Sequence, residues 1–370
     1  MIIKIQKEKL IEPLKNLVGV AEKKQTMPIL GNILFRTDGQ NLLMVSSDLE
    51  VEISTRVEYQ TDEVLDSTLP GRKLLDILRS LPGDGDVTID FSDDKATIKS
   101  GKSRFVLATL PGADFPYDKD SIDYKFKVPA SSLDNLISQT AFSMAMQDAR
   151  HFLNGMFFEV GKEKFTVVAT DGHRLSMSAC NQANTIDESV DCIIPRKCIT
   201  EIKRILSNFK DNKDHLVDFN IISNHFYFSI DDYYVKSKLI EGNYPDYNKV
   251  FPESLPHKLD VDKNQLKSAL QRMSILSNEQ FKGVKLTLSS SEVRLSTNNP
   301  SQEEGEDSIS CNYNGENLDI GFNLTYLIEV IDVISSENIV LQLNNSDSGC
   351  LISSQDNDAL NKYIIMPMRV

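Results

Sequence analysis

The sequence has 370 residues and a formal net charge of -14 at pH 7, with 40% hydrophobic and 25% charged residues. This length is too great for one ordinary hydrophobic core, and the composition is ordinary for a soluble globular protein. There is no N-terminal signal and no apolar run near about 18 residues, so we expect neither secretion nor membrane insertion. The net acidity argues against a nucleic-acid partner, because phosphate contact depends on Lys and Arg.

Six amphipathic helices are predicted in chain order, starting near residues 8, 72, 131, 196, 262 and 323. They recur roughly every sixty residues, which indicates an internal repeat. Ser131 or Ser132 is the expected N-cap of the third helix, and Asp262 is the expected N-cap of the fifth.

Short strands with period-two alternation occupy the intervals between these helices. The clearest lie at 87–91, 96–99, 105–110, 217–221, 226–230, 339–343 and 363–366. Each half-repeat therefore combines one helix with several antiparallel strands, which predicts an α+β fold.

Three longer stretches share one pattern of strands around a turn, at 27–57, 150–179 and 281–310. Asp48, Asp171 and Asn298 occupy the same place in them, about 125 residues apart. The chain is therefore predicted to be a threefold repeat, with seams where Pro and charge replace periodicity. The predicted domains are 1–123, 124–254 and 255–370.

The five cysteines indicate a reducing compartment. They form no CxxC pair and lie within apolar patterns, at positions 180, 192, 198, 311 and 350. An odd, scattered set is typical of packed, reduced thiols, so we predict a cytoplasmic protein.

Basic residues recur on the outer faces of the predicted helices, as with Arg72 and Arg79 on the second, while acidic runs lie elsewhere, at 84–94 and 303–307. This segregation fits a protein with one basic surface. Ordinary solvated helix faces explain it equally well.

Candidate catalytic and metal-binding residues are few. Asp171 and His173, with Ser176 nearby, leave a hydrolase or transferase open, although a strand and turn do not place a base two residues away against a nucleophile. The histidines are isolated, and the acidic stretch at 84–90 lacks the Gly and closing Glu of a calcium loop. There is no Gly-rich phosphate loop, so neither a metal nor a cofactor is predicted.

The sequence ends YIIMPMRV, which is unusually apolar for a terminus. The pattern at 363–366 predicts a strand that pairs into a sheet, and Pro367 must end that ladder. Met and Pro beside a sheet edge favour an adaptable apolar pocket for a short peptide.

Ten motifs carry a resemblance to a known family: TMPILGN (26–32), SSDLE (46–50), TLPGADFP (109–116), FSMAMQDARHFLNGM (142–156), ATDGHRLS (169–176), IPRK (194–197), EGNYPDY (241–247), ILSNE (275–279), NNPSQEE (298–304) and MPMRV (366–370). With these motifs in this order, the chain resembles the bacterial sliding clamp, the beta subunit of DNA polymerase III, over its whole length.

The resemblance implies three similar domains of the DNA clamp fold, each with two helices and antiparallel sheets, and two chains closed head to tail into a ring lined by helices. It implies a processivity factor that is not an enzyme. Such a homodimer encircles duplex DNA irrespective of sequence and tethers the DNA polymerase III catalytic subunit, the clamp loader and other proteins with clamp-binding motifs. Net acidity is then no objection, because a closed ring retains DNA by topology and needs basic residues only on its lining.

The resemblance also implies a set of DNA contacts, in which His151 and Phe152 stand where family members often carry Tyr. The implied DNA-binding residues are Lys24, Arg72, Gln147, Arg150, His151, Phe152, Arg196 and Lys197.

A partner-peptide pocket between the middle and last domains is implied as well, for short motifs rich in Gln, Leu and Phe. Lys249 stands where Arg is common and Met146 where His is common, so a shift in peptide preference is expected. The implied pocket residues are Leu153, Thr170, Gly172, His173, Arg174, Leu175, Pro245, Lys249, Val250, Ile364, Met366, Pro367, Met368 and Arg369.

Ring closure is implied to pair apolar residues and opposite charges from the two ends of the chain. Phe105 and Leu107 would meet Ile275 and Leu276 of the second copy, and the basic set would face the acidic one. The charged residues are Lys73, Lys102 and Arg104 on one side, and Glu303, Glu304, Glu306 and Asp307 on the other. A peptide-binding scaffold that does not close around DNA remains the alternative.

Overall fold

The computed structural model describes residues 1–21, 27–83, 85–92, 94–118, 121–184, 186, 188–209, 215–252, 255–355 and 360–369. The chain forms two compact units. Unit 1 comprises Met1–Asp134 and Ile194–Leu239, and unit 2 comprises Asn135–Ile193 and Ile240–Val370.

Helices and strands alternate along the chain in a repeated order. Among the described residues the α-helices are α1 (Lys7–Leu17), α2 (Gly71–Ser80), α3 (Ala130–Thr140), α4 (Arg196–Leu206), α5 (Lys263–Met273) and α6 (Leu324–Val333). The strands of the first third are β1 (Ile2–Gln6), β2 (Asn32–Thr37), β3 (Asn41–Ser47), β4 (Val51–Glu58), β5 (Asp66–Pro70), β6 (Asp86–Ser92), β7 (Lys95–Ser100), β8 (Ser103–Ala108) and β9 (Leu110–Pro111). Those of the middle third are β10 (Phe126–Pro129), β11 (Gly155–Val160), β12 (Lys164–Thr170), β13 (Arg174–Asn181), β14 (Val190–Pro195), β15 (Leu216–Ile222), β16 (His225–Ile230) and β17 (Tyr233–Lys238). Those of the last third are β18 (His257–Asp262), β19 (Gly283–Leu288), β20 (Glu292–Asn298), β21 (Glu304–Ser310), β22 (Asn312–Tyr313), β23 (Leu318–Asn323), β24 (Asn338–Leu343), β25 (Cys350–Ser354) and β26 (Asn361–Ile365).

These elements confirm the predicted α+β class and all six predicted helices. Asp262 is the N-cap of α5, since its carboxylate accepts the Gln265 backbone N–H at 2.7 Å. The N-cap predicted at Ser131 or Ser132 is wrong. Helix α3 begins at Ala130, directly after β10, and the Ala130 N–H already donates to the His215 carbonyl at 2.9 Å.

Four antiparallel sheets hold the strands. Unit 1 contains the order β1-β6-β7-β8 and the nine-stranded order β10-β15-β16-β17-β4-β3-β2-β5-β9. Unit 2 contains β21-β20-β19-β23 and a nine-stranded sheet that begins with β14 at the unit boundary and continues β11-β12-β13-β26-β25-β24-β18-β22. Each nine-stranded sheet therefore joins strands from two distant parts of the sequence, at β4–β17 and at β13–β26.

The periodicities of the sequence account for the packing. On β16 every second side chain is buried, as expected for a strand with one face on the core. Helix α2 buries Leu74, Leu75 and Leu78 and leaves Arg72 and Arg79 exposed, which is the arrangement of an amphipathic surface helix.

The repeat is visible in matching turns. Asp48 follows β3, and its Oδ1 accepts the N–H groups of the second and third residues after it at 2.9 and 2.6 Å. Asp171 follows β12 and does the same at 2.9 and 3.0 Å. Leu49 and Gly172, which come next, both have left-handed backbone, with φ of 74° and 87°. The third copy is shifted by one residue, because Asn298 ends β20 and it is Asn299 whose Oδ1 caps the following loop.

Two further features of the fold bear on the sequence predictions. All five cysteines are free thiols, as predicted, and burial raises the pKa of Cys198 to about 12. None of the described helices has the length and hydropathy needed to cross a membrane.

The cap of α5 can be tested by mutation. Asp262→Ala removes the acceptor of the Gln265 N–H, and we expect the loss of about 1 kcal/mol of helix stability. Hydrogen exchange followed by mass spectrometry should then be faster in the first turn of α5 than in wild type. Asp262→Asn is the matched control, because Asn retains an acceptor oxygen. Its exchange rate in the first turn of α5 should stay close to that of wild type. Equal exchange in the Ala variant and wild type would contradict the cap.

Candidate functional site

An apolar cavity of about 410 Å³ opens beside the β13–β26 junction of unit 2. Strand β13 pairs with β26 so that Leu175 lies opposite Ile364, and both side chains form part of the cavity wall. The lining residues are Arg150, Phe152, Leu153, Thr170, Gly172, Arg174, Leu175, Pro245, Val250, Ile364 and Met366. A concave site of this size with a mainly apolar lining suits an extended apolar ligand.

The turn between β12 and β13 forms one wall of the cavity. Thr170 Oγ1 accepts the Gly172 N–H at 3.1 Å and donates to the Arg174 carbonyl at 2.5 Å. A side chain at Gly172 is disfavoured because the backbone there is left-handed, and its Cβ would also lie 2.8 Å from the Arg150 guanidinium, which would have to shift. The wall is therefore a fixed turn with glycine at its closest approach to Arg150.

Arg174 is buried beneath this wall. Its guanidinium donates to the Asp171 carboxylate at 3.0 Å, to the Glu329 carboxylate and to the Phe142 carbonyl. It also lies over the Tyr326 ring, with 4.1 Å between the guanidinium carbon and the ring centroid. Burial, and then the Asp171 charge, raise the pKa of the Tyr326 phenol, so that phenol stays protonated beside the cation.

Aromatic side chains support the cavity from below. The rings of Phe157 and Tyr244 stack with centroids 4.8 Å apart, and Tyr247 packs at a tilt against Phe157. The Tyr247 hydroxyl donates to the Glu159 carboxylate at 2.5 Å. Burial raises the pKa of Tyr247, and the hydrogen bond to Glu159 raises it further. These rings belong to the same apolar cluster as Leu175 and Ile364 of the cavity lining.

The C-terminal segment closes the other side. Strand β26 pairs with β13 and β25 and ends at Ile365, which confirms the predicted terminal strand and its end before Pro367. The Met366 N–H still donates to the His173 carbonyl, and the Met368 N–H donates to the Gly321 carbonyl, each at 2.9 Å. The segment is therefore fixed to the β12–β13 turn and to β23, and Met366 is 42% exposed.

The structure brings most of the predicted pocket residues together. Those that line the cavity are Leu153, Thr170, Gly172, Arg174, Leu175, Pro245, Val250, Ile364 and Met366. The other predicted residues are close in sequence to lining residues but do not line the cavity themselves. His173, Lys249 and Arg369 are exposed, Pro367 and Met368 are half-buried, and Lys249 pairs with Asp246 at 2.9 Å.

Two of the predicted DNA contacts, Arg150 and Phe152, also line this cavity. Arg150 holds the Asp148 carboxylate through two hydrogen bonds of 3.0 and 2.9 Å and donates to the Asp171 carbonyl at 3.2 Å. These Arg150 hydrogen bonds lower the pKa of Asp148 to about 2. Arg150 is thus held against the β12–β13 turn.

The remaining predicted DNA contacts lie on helices or on exposed loops. Arg72 is exposed on α2, and Gln147 and His151 are exposed on the loop before β11. Arg196 and Lys197 begin α4, and the Lys197 ammonium pairs with the Asp48 carboxylate at 2.5 Å. Lys24 lies outside the described residues.

The predicted interface residues lie on outer edge strands or beside them. Phe105 and Leu107 are half-buried on β8. Arg104 is exposed on the same strand, Lys102 is exposed just before it, and Lys73 is exposed on α2. Ile275, 77% exposed, and half-buried Leu276 follow α5. The acidic residues lie on or just before β21, the edge of the other four-stranded sheet. Glu303, Glu304 and Glu306 are exposed, whereas Asp307 is paired with Arg272 at 2.7 Å.

The geometry at Asp171 and His173 does not form a catalytic pair. The Asp171 carboxylate is occupied by backbone N–H groups and Arg174, and the His173 side chain is exposed. Ser176 is buried, with its hydroxyl 2.7 Å from that of Ser143. In the described ranges no group of His, Cys, Asp and Glu side chains is arranged to hold a metal ion.

Comparison with known proteins gives matches along the whole chain. Residues 1–119, 127–246 and 248–369 match the models for the N-terminal, central and C-terminal domains of the DNA polymerase III beta subunit. The beta sliding clamps of Pseudomonas aeruginosa and Escherichia coli K12 are 40% and 37% identical over 368 residues, covering 99% of each chain. The crystal structure of a Pseudomonas aeruginosa sliding clamp bound to griselimycin covers 100% of both chains, at 40% identity and a TM-score of 0.93. The chain belongs to the family of bacterial sliding clamps, the beta subunits of DNA polymerase III.

Proposed function

We propose that this chain is a cytoplasmic DNA sliding clamp: a homodimeric ring that encircles duplex DNA and tethers the replicative polymerase, the clamp loader and other partners through peptide motifs. It is a processivity factor and not an enzyme. The observation that carries the proposal is the apolar cavity at the β13–β26 junction, in a chain of this family. The three proposed clamp domains are 1–123, 124–254 and 255–370.

Partner binding follows from the shape and chemistry of the cavity. Apolar side chains such as Leu175, Val250 and Met366 are positioned to receive the Leu or Phe of a partner motif. Burial of one such side chain supplies roughly 1.5–3 kcal/mol. The exposed residues His173, Lys249 and Arg369 are proposed to contact the ends of the peptide.

DNA binding is proposed to rest on the eight predicted DNA contacts named above, from Lys24 to Lys197, without readout of base sequence. Contacts of Lys and Arg with phosphate are electrostatic, so they weaken with salt and permit sliding. Arg150 and Phe152 lie at the peptide cavity as well as in the proposed DNA set. We therefore propose that bound DNA and bound peptide share these two side chains.

Ring closure is proposed between β8 of one chain and β21 of the other. Both are edge strands with unpaired backbone groups, and one is flanked by Lys102 and Arg104 while the other carries Glu304 and Glu306. Phe105 and Ile275 are the proposed apolar contacts. Each exposed ion pair contributes only about 0–1 kcal/mol, which suits an interface that a loader must open.

Topological binding is tested by loading the protein onto nicked circular DNA with a compatible clamp loader and ATP. We expect stable association with circles in gel filtration, and rapid loss after the DNA is linearised, because an encircling ring leaves only over an end. Equal retention on circular and linear DNA would mean ordinary affinity and would refute the sliding mechanism.

The peptide pocket is tested by Met366→Ala. The probe is a fluorescein-labelled peptide that contains Gln, Leu and Phe, and its Kd is measured by fluorescence polarisation. Loss of the Met366 side chain should weaken the binding of this peptide by roughly 1 kcal/mol, about fivefold in Kd. Met27→Ala is the matched control, since Met27 is as exposed as Met366, at 41% against 42%, and lies in unit 1 outside the cavity lining. Griselimycin, which is bound by the Pseudomonas aeruginosa relative, should compete with the peptide. Equal affinities for both variants and wild type would contradict the pocket.

The interface is tested by Ile275→Ala. Removal of this apolar contact should raise the dimer dissociation constant about tenfold, roughly 1.5 kcal/mol, in sedimentation equilibrium. The control is Val64→Ala, because Val64 is an equally exposed apolar residue, at 85% against 77%, that lies outside the proposed interface. If both variants dimerise as tightly as wild type, Ile275 is not at the interface. A monomeric wild type that still binds peptide would favour the scaffold that does not close around DNA.

A further inference from the structure

We infer that Glu329 is a positioning residue for the peptide pocket, which acts through Arg174 and not by contact with the ligand. The inference rests on the proposed function, since it concerns how tightly the same cavity holds a partner peptide. Glu329 lies on α6 and is absent from the cavity lining, whereas Arg174 is part of that lining.

The Arg174 side chain is committed to protein partners. Its Nε donates to Asp171 and its two terminal nitrogens donate to Glu329 and to the Phe142 carbonyl. Only 8% of the side chain is exposed, and the Tyr326 ring covers one face of the guanidinium. A guanidinium held on three sides and stacked on a ring has a fixed position, so Arg174 contributes to the shape of the wall more than to ligand recognition.

Glu329 supplies the second negative charge that balances this buried cation. The Asp171 carboxylate is shared between Arg174 and two backbone N–H groups of the turn. Without Glu329 the guanidinium would depend on Asp171 alone for a charged partner. An under-compensated buried charge is costly, so Arg174 would move toward water and draw Asp171 away from the turn.

The turn transmits this change to the cavity. The amide nitrogens that bind Asp171 belong to His173 and Arg174, and the His173 carbonyl accepts the Met366 N–H. Gly172 lies in the same turn, and Met366 forms the facing wall of the cavity. Both walls are thus tied to the position of Arg174, which Glu329 fixes from α6.

The test compares Glu329→Gln with Asp332→Asn in the full-length protein. Asp332 is the matched control because it is an acidic residue of the same helix that pairs with Lys267, at 2.6 Å, and not with Arg174. The probe is the fluorescein-labelled peptide that contains Gln, Leu and Phe. We expect Glu329→Gln to raise its Kd about two- to thirtyfold and Asp332→Asn to leave it unchanged. Glu329→Asp, which keeps the charge, should recover part of the affinity.

Hydrogen exchange separates positioning from general destabilisation. In Glu329→Gln, without ligand, the amides of residues 172–174 should exchange faster while those of β19 and β20 do not change. The double variant Arg174→Lys, Glu329→Gln should bind the peptide no more weakly than Arg174→Lys alone, because Glu329 acts only through the native guanidinium.

Three results would overturn the inference: unchanged affinity and unchanged exchange in Glu329→Gln, tighter binding because a released guanidinium reaches the peptide, or additive losses in the double variant. If wild type does not bind the peptide, the proposed function of the pocket fails instead. The exchange of residues 172–174 still decides whether Glu329 positions the turn.

Discussion

The carboxylate of Asp171 is the contact on which the candidate site depends. One of its oxygens accepts two backbone N–H groups and fixes the β12–β13 turn, while the other accepts the Arg174 guanidinium. The turn places Gly172 at the cavity, and the His173 carbonyl holds Met366. A single side chain therefore links local backbone geometry, a buried cation and the segment after the last strand. Its exposed neighbour His173 has a backbone role in this arrangement, which explains an Asp-Gly-His sequence without catalysis.

The same device occurs in unit 1 with different surroundings. Asp48 caps its turn in the same way, and its second oxygen pairs with Lys197 of α4. The groove beside that turn is smaller, about 160 Å³, and is lined by charged residues that include Glu52, Lys236 and Lys238. An apolar side chain placed there would displace water from these charged groups, and their desolvation would cost free energy. The turn is thus the same at Asp48 and Asp171, and of these two described copies the one at Asp171 has walls suited to an apolar peptide.

The sequence predicted the elements well and their long-range contacts poorly. Helix positions follow from a local period of 3.6 and strand positions from a period of two, so α1 to α6 appear where expected. The cap at Ser131 or Ser132 failed because a tertiary contact, from Ala130 to His215, satisfies the helix start. Asn298 was predicted to be the equivalent of Asp48 and Asp171, but the residue that caps the turn is Asn299. The loop of the third copy is longer, and the repeat is shifted by one residue there.

The candidate site was predictable only in part, for the same reason. Family resemblance gave most of the cavity lining, but neither periodicity nor resemblance indicated that Arg150 and Phe152 also line it. The partnership of Arg174 with Glu329 spans 155 residues of sequence, and nothing local to α6 distinguishes Glu329 from Asp332, the other acidic residue of that helix. Such pairs depend on which strands become neighbours, here β13 and β26, and strand order is a property of the whole chain.

The distribution of charge partners bears on how a chain of net charge -14 can work on DNA. Two cations of the proposed DNA-binding set are shared with acids of the same unit: Lys197 with Asp48, and Arg150 with Asp148. A cation that already has a carboxylate partner gains less from a phosphate, because it must divide its hydrogen bonds and releases fewer counterions. For a protein proposed to slide, weak phosphate contacts lower the barrier to each step along the duplex. The cost in affinity is tolerable only if something other than affinity retains the DNA, and closure of the ring supplies it. The paired cations therefore keep the phosphate contacts weak, and the closed ring keeps the protein on the DNA despite that weakness.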